Sequence, residues 1–247
     1  MLTFVTICVG GLFSAFVFLD VLSVFPRVAG GITGRNGIGY SFQVLVNTVK
    51  RVFIVSYPPF LGVLAIQGTL QDLFFVIGCS YGIAGLWCLA AALLQRRFIA
   101  YFCSVIDSYG NEASLARSFL RGLTQWRDWQ DAVSAELKAV NTTRLPSIDW
   151  QIFSLALWIF FFYGASIFMI NILNFLIPQY SSVILQLTGL INALGSIALA
   201  FFLDPRLSRL YEKRNNILTA LNGLIGAHLC NLFILSPLVF LALWLGI

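Results

Sequence analysis

The segment that decides the fold runs from Trp150 to Leu176, WQIFSLALWIFFFYGASIFMINILNFL, and contains no charged side chain. A helix needs about 20 mostly apolar residues, each adding ~1.5 Å of rise, to cross the roughly 30 Å hydrocarbon core of a bilayer. Stretches of this kind recur along the chain, at about residues 2–24, 38–66, 72–95, 150–176, 181–203 and 217–246. The sequence therefore predicts an all-α integral membrane protein with about six transmembrane helices.

Composition supports the same class. Of the 247 residues, 59% are hydrophobic and 10% are charged, and the mean hydropathy is +0.89. A soluble globular protein needs more polar surface than this. We therefore expect residues 1–247 to form a single polytopic membrane domain whose longest polar insert is about 96–148.

The basic residues are distributed unevenly among the connectors. Thirteen of the fifteen lie in three of them: Arg27 and Arg35; Arg96, Arg97, Arg117, Arg121, Arg127, Lys138 and Arg144; Arg206, Arg209, Lys213 and Arg214. Because an excess of Lys and Arg marks the cytoplasmic side, the pattern predicts a bacterial inner-membrane protein with both chain ends outside. This bias also accounts for most of the net charge of +5, so we expect no nucleic-acid partner.

The polar insert between the third and fourth helices has its own apolar periodicity. Between Glu112 and Val140 the apolar residues recur at close to helical spacing, with arginines and a lysine between them. This pattern predicts an amphipathic helix on the cytoplasmic membrane surface. Its cations favour contact with anionic membrane lipid over a role in substrate binding.

Lys50 and Arg51 are the two basic residues inside an apolar span. A cation near the bilayer centre costs roughly 2.5–3.5 kcal/mol, so a counter-charge or a polar cavity must accompany them. Asp20 is the candidate counter-charge or coupling residue, because it lies within the apolar part of the first helix. The alternative is that the second helix starts near Val52 and leaves both cations at the interface. The Pro58-Pro59 pair further along predicts a break in this helix.

Within the membrane, Lys50 and Arg51 would form a basic cluster with Arg27 and Arg35, open to the cytoplasm. Arginine matches phosphate oxygens with a planar fork of donors, and lysine acts as a point charge. The cluster therefore suits a phosphate or pyrophosphate group. Pro26 and Gly30-Gly31 predict a break after the first helix, and the glycine-rich turn there could add backbone N–H donors.

Few residues suggest catalysis. His228 and Asn192 are candidates for a polar cavity, although His228 is favoured as a packing residue paired with Asn231 or Asn192. The sequence has no HExxH or GxSxG motif, and its five cysteines lack CxxC spacing. We expect no cofactor and no metal site, and an enzyme acting on a lipid phosphate remains an alternative.

Two stretches resemble a known family. They are DVLSVFPRVAGGITGR at 20–35, followed after a helix-length gap by Lys50-Arg51, and LDPRL at 203–207. These residues are similar to motifs of the Amj-type lipid II flippases of bacteria. The chain departs from that pattern at Ile32, where the family has a basic residue, and at Asn222-Gly223, where it has a Ser-Arg pair.

The resemblance implies a flippase that moves an undecaprenyl-diphosphate-linked cell-wall precursor, with lipid II as the leading substrate, from the inner to the outer leaflet. It implies that Arg27, Arg35, Lys50 and Arg51 hold the pyrophosphate while the lipid tail stays in the bilayer. The departures leave another polyprenyl-linked glycan open as substrate. A non-catalytic membrane subunit of a cell-envelope assembly complex is a further alternative, and enclosing a large head group could require a homodimer.

Overall fold

The computed structural model describes residues 2–140, 148–212 and 217–247, and the described residues are almost entirely helical. The first half contains α1 (Leu2–Leu22), α2 (Val24–Thr33), α3 (Asn36–Ser56), α4 (Pro58–Gln67), α5 (Leu70–Leu93), α6 (Gln95–Gly110), α7 (Leu115–Gln125) and α8 (Gln130–Val140). The second half contains α9 (Trp150–Leu176), α10 (Ser181–Ala198), α11 (Asp204–Glu212), α12 (Ile217–Cys230) and α13 (Ser236–Gly246).

Six helical stretches in this described part are long and apolar enough to cross a membrane. They are Leu2–Thr33, Asn36–Gln67, Leu70–Leu93, Trp150–Leu176, Pro178–Leu210 and Thr219–Gly246. The prediction of a six-helix, all-α membrane protein is therefore confirmed. Several stretches exceed their predicted length, because the helices continue through residues that the sequence suggested were connectors.

The first connector shows why. Pro26 and Gly30-Gly31 were expected to break the helix here. The break at Pro26 is confirmed, because α1 ends at Leu22 and α2 begins at Val24, with Pro26 in its first turn, where a backbone N–H has no partner inside the helix and a proline is tolerated. The prediction is wrong for Gly30 and Gly31, which lie inside α2; this helix ends before Gly34, which adopts the left-handed conformation with a φ of 73°.

Gly30 and Gly39 bring α2 and α3 into close contact. A Cβ atom added to Gly39 would lie 2.7 Å from the Pro26 carbonyl oxygen and 2.8 Å from the Gly30 Cα. Only hydrogen side chains leave room for this approach. The glycines therefore determine how these two helices pack, and they do not break a helix.

The predicted interruption at Pro58-Pro59 is confirmed. Helix α3 ends at Ser56, and α4 begins at Pro58 with proline in its first turn, where it suits the helix start. Tyr57 at the junction is fully buried, and its ring packs against Phe13 and Phe168. This aromatic contact fixes the broken second span against α1 and α9.

The insert after α5 is helical, but it is not one continuous helix. A 3-10 turn at Trp126–Trp129 separates α7 from α8, and α6 packs against α2, α7 and α8. Leu115, Leu120 and Leu123 of α7 are exposed, as a membrane-surface helix would require. Its position on the cytoplasmic side stays a prediction. Of the predicted apolar face, Leu137 and Val140 have side chains outside the described part.

Candidate functional site

An ion pair joins the first two membrane spans. Helix α3 begins at Asn36, well before Lys50, so Lys50 and Arg51 both lie inside the second span and do not precede it. The Lys50 Nζ donates a hydrogen bond of 2.5 Å to the Asp20 Oδ1, and the two residues are 6% and 7% exposed. Asp20 is thus the counter-charge of Lys50.

Aromatic rings surround the ammonium group of Lys50. Its Nζ lies 5.7 Å from the ring centre of Phe16 on α1 and 5.4 Å from that of Tyr163 on α9. A desolvated cation is attracted by the negative face of an aromatic ring within about 6 Å. The rings therefore supplement Asp20 in stabilising the buried charge.

His228 of α12 lies on the other side of Asp20. Its Nε2 is 3.6 Å from the Asp20 Oδ2, slightly beyond hydrogen-bond distance, and its ring stacks on Phe160 with centroids 3.7 Å apart. The expected pairing with Asn231 stays a prediction: the two residues line one small cavity, the His228 Nε2 has no hydrogen-bond partner among the described residues, and the Asn231 Oδ1 accepts a hydrogen bond from the Ser236 hydroxyl. The side chain of Asn192 lies outside the described part of the chain.

Arg51 is exposed and shares a cavity with Lys50. This cavity, of about 240 Å³, lies between α3, α9 and α10. We call it the inner cavity; its lining includes Val44, Asn47, Thr48, Lys50, Arg51, Tyr163, Ser196 and Asp204. A basic side chain inside an apolar span normally faces a polar cavity or the bundle interior, and Lys50 and Arg51 both do so.

Arg27 lines a second space, which we call the outer cavity. Its Nη2 donates a hydrogen bond of 2.6 Å to the Ser208 hydroxyl, and its guanidinium lies 4.6 Å from the ring centre of Tyr40. The outer cavity measures about 400 Å³ and is also lined by Asn36 and Asp204. Because Asp204 lines both cavities, it marks the place where they meet.

Arg35 is held elsewhere. Its Nη2 lies 3.0 Å from the Asp107 Oδ1 and 2.9 Å from the Asn111 Oδ1, both on or beside α6. The backbone N–H groups of Gly34 and Arg35 donate to the carbonyls of Gly31 and Gly30. The structure therefore separates Arg35 from the other three cations, and the predicted backbone phosphate nest is wrong because these donors are used within the turn.

Two π-helical turns adjoin the site. One spans Leu199–Leu203 and leads directly into Asp204, and the other spans Asn231–Leu235 and follows the helix that carries His228. Single π turns inside α-helices are found frequently at functional sites. Asp204 and His228 therefore each lie close in the chain to an irregular turn.

The sequence model of the family described as "Amj: Alternate to MurJ" matches residues 13–221. The chain belongs to the Amj family. A relative, the Lipid II flippase Amj of Bacillus subtilis (strain 168), is 24% identical over 215 residues, which cover 78% of this chain and 75% of the relative. No solved structure matches the chain significantly.

The match to the Amj family covers Asp20 and the charged residues of both cavities. Asp20, Arg27, Lys50, Arg51 and Asp204 all lie within 13–221. His228 lies beyond this range, so its place next to Asp20 is an observation on this chain alone. In the described ranges, no three His, Cys, Asp or Glu side chains are grouped so that they could hold a metal ion.

Sequence reasoning missed the role of Asp204 and of the rings around Lys50. Asp204 was noted only as part of a motif, although an acidic residue at the end of an apolar span, directly before Pro205, is itself a signal. Phe16 and Tyr163 carried no such signal. Aromatic residues are frequent throughout the chain, and only the packing of α1 and α9 brings these two to Lys50.

Proposed function

We propose that this chain is a flippase that moves an undecaprenyl-diphosphate-linked cell-wall precursor, with lipid II as its leading substrate, from the inner to the outer leaflet. The observation that carries the proposal is the inner cavity, where Lys50 and Arg51 line a space between membrane-spanning helices. The name of the Bacillus subtilis relative supports lipid II as the substrate.

The chemistry of the cavity suits a diphosphate. Arg51 is exposed and presents several N–H donors, which can bind two phosphate oxygens at once. Lys50 adds a single positive charge, and Asn47 and Thr48 supply neutral polar groups. A diphosphate in this space would meet cations in a region of low dielectric constant, where their attraction is much stronger than in water.

Arg27 would receive the head group first. It lines the outer cavity, which meets the inner cavity at Asp204, and both lie among helices whose connectors are predicted to face the cytoplasm. A head group could pass from Arg27 to Arg51 while its polyprenyl tail stays in the bilayer. In this proposal Arg35 contacts no substrate, and it holds the turn between α2 and α3 against α6.

Movement of the site would follow from the irregular helices. The π-helical turns at Leu199–Leu203 and Asn231–Leu235 and the break at Tyr57 lie next to the charged residues. Such positions absorb changes in backbone angles more readily than a continuous helix. Bending there would close the cytoplasmic approach and open the cavity outward.

A second candidate substrate is a different polyprenyl-linked glycan. It is favoured by the departures from the family motifs at Ile32 and Asn222-Gly223, which remove basic residues. Such a substrate would share the diphosphate and the polyprenyl tail, and it would differ only in the sugar portion.

The test measures lipid II on the outer face of cells that lack every other lipid II flippase. Cells with the parental protein should expose lipid II, and cells with Arg51→Ala should not, at equal protein levels in the membrane. Arg121→Ala is the matched control, because this arginine is exposed on α7 and lines neither cavity. Equal exposure with Arg51→Ala would favour the assembly-subunit alternative, and release of inorganic phosphate from lipid II would favour an enzyme.

A further inference from the structure

We propose that Asp20 loses its hydrogen bond from Lys50 and binds a proton when a diphosphate enters the inner cavity. The inference rests on the proposed function, since it assumes that a diphosphate binds there. It adds that substrate binding is coupled to proton uptake at a defined carboxylate.

The two oxygens of Asp20 face different surroundings. The Oδ1 accepts the hydrogen bond from Lys50, whose side chain also lines the inner cavity. The Oδ2 lies 3.6 Å from the Nε2 of His228, a residue that does not line that cavity. Lys50 therefore contacts both the carboxylate and the substrate space, and His228 lies next to the other carboxylate oxygen.

A diphosphate in the inner cavity would compete with Asp20 for Lys50. It carries more negative charge than one carboxylate, and Arg51 would help to hold it next to the ammonium group. The Nζ would then donate to a phosphate oxygen in place of the Asp20 Oδ1. This exchange needs only a small movement of a long side chain that already borders the cavity.

After this exchange, Asp20 would be a buried carboxylate that has lost the cation it was paired with. It is 7% exposed, and removing one partner of a buried ion pair leaves a charge whose desolvation is not compensated. A carboxylate in this position binds a proton and becomes neutral. The balance is simple: one proton from the solvent converts the Asp20 carboxylate to a carboxylic acid, and Lys50 keeps its charge and changes its partner.

In this proposal, polar side chains next to the Asp20 Oδ2 relay the proton to it. His228 and Asn231 line a small enclosed cavity with Asp20 and Tyr81, and its volume of about 10 Å³ is close to the space that one water needs. Asn231 accepts a hydrogen bond from Ser236, which lies next to Tyr81. These groups form a row of buried polar side chains beside Asp20.

Other titratable or charged groups on the helices around Asp20 must be distinguished from it. They are Arg27 on α2, Lys50 on α3, Tyr57 between α3 and α4, Tyr81 and Cys88 on α5, Tyr163 on α9, Asp204 on α11 and His228 on α12. Among them, Asp204 is the other carboxylate, and it also lines the inner cavity. The test must therefore separate Asp20 from Asp204.

The experiment is calorimetric titration of the purified full chain in detergent with farnesyl diphosphate, in buffers of different ionisation enthalpy at one neutral pH. The dependence of the binding heat on the buffer gives the number of protons taken up. We expect about one proton per diphosphate for the parental protein, because a single carboxylate changes state. An infrared difference spectrum should show a protonated carboxyl band on binding.

Asp20→Asn should bind the diphosphate at least as tightly, without proton uptake and without the carboxyl band. Asp204→Asn should retain both signals, and Asp128→Asn, at an exposed carboxylate of the insert, is the matched control. If proton uptake persists in Asp20→Asn and disappears in Asp204→Asn, the assignment of the protonated carboxylate to Asp20 is overturned. If Asp20→Asn does not fold, the parental titration still decides, because binding without proton uptake overturns the inference.

Failure of the proposed function would look different. If farnesyl diphosphate and lipid II both fail to bind the folded parental protein, the diphosphate site itself is wrong, and the proton exchange falls with it. Binding with no proton uptake would leave the flippase proposal intact and contradict only the role of Asp20.

Discussion

Lys50 of α3 and Asp20 of α1 form an ion pair that is more than nine-tenths buried, and Lys50 also borders the inner cavity. The same contact thus joins two membrane spans and brings a cation to the space that we assign to the substrate. These two consequences can be separated by substitution.

We expect Lys50→Met alone to destabilise the protein by about 3–5 kcal/mol, because it leaves the Asp20 carboxylate buried without a partner. Replacing both charges, as Lys50→Met with Asp20→Leu, should recover most of the stability, since paired apolar residues avoid the desolvation of both ions. Thermal unfolding in detergent measures this difference.

The double variant should nevertheless fail to expose lipid II on the cell surface, because it lacks the cavity lysine. A double variant that transports normally would contradict a role for Lys50 in substrate binding. A single Lys50→Met variant as stable as the parental protein would contradict the ion pair.

Gly39→Ala should destabilise the packing of α2 on α3 by about 1–3 kcal/mol, because its Cβ would lie 2.7 Å from the Pro26 carbonyl oxygen. Gly37→Ala is the matched control, in the same helix and with no atom within 4 Å of the added Cβ. Removing a helical glycine at such an open position should be neutral or slightly stabilising. Unfolding temperatures of the two variants, compared in one detergent, give the answer, and equal losses would contradict the close helix approach.

Arg35→Ala should lower stability only slightly and leave transport largely intact. The pair of Arg35 with Asp107 is partly exposed, and exposed pairs typically contribute about 0.2–1 kcal/mol. A double-mutant cycle with Asp107→Asn measures this coupling energy by unfolding. If Arg35→Ala abolishes surface exposure of lipid II as fully as Arg51→Ala, the assignment of Arg35 to a structural contact is wrong.

Cysteine labelling tests the predicted orientation. Gln67→Cys, at the end of α4, should react with a membrane-impermeant maleimide in intact cells, and Gln125→Cys, at the end of α7, only after permeabilisation. Both glutamines are exposed, so a difference in labelling reports the side of the membrane. The reverse pattern would place the insert outside and contradict the cytoplasmic approach to Arg27.

The native Cys103 should not interfere with this labelling. Burial, with a smaller contribution from the negative charge of Asp107, raises the pKa of the Cys103 thiol to about 12. Since the thiolate is the reactive form, Cys103 should stay unlabelled at neutral pH until the protein is denatured. The parental protein provides the background from the other four cysteines.

The number of spans and the break at Pro58-Pro59 could be predicted because they depend on local properties. Hydropathy over about 20 residues and the missing backbone donors of proline act on the chain itself. The helical position of Gly30 and Gly31 could not be predicted in the same way. Glycines at a helix contact look, in sequence, like glycines that end a helix.

The sequence by itself determined an all-α membrane protein, a carboxylate inside its first span, two adjacent cations at or inside its second, and the Amj family motifs. Only the tertiary structure decided that Lys50 pairs with Asp20, that His228 and the ring of Tyr163 join them, and that Arg35 turns away to Asp107. The reason is physical. Lipid tails are as apolar as the helix surfaces, so hydrophobicity places helices in the membrane without selecting their neighbours. Those neighbours are selected by close packing at residues such as Gly30 and Gly39 and by buried polar pairs, both of which join residues far apart in the chain.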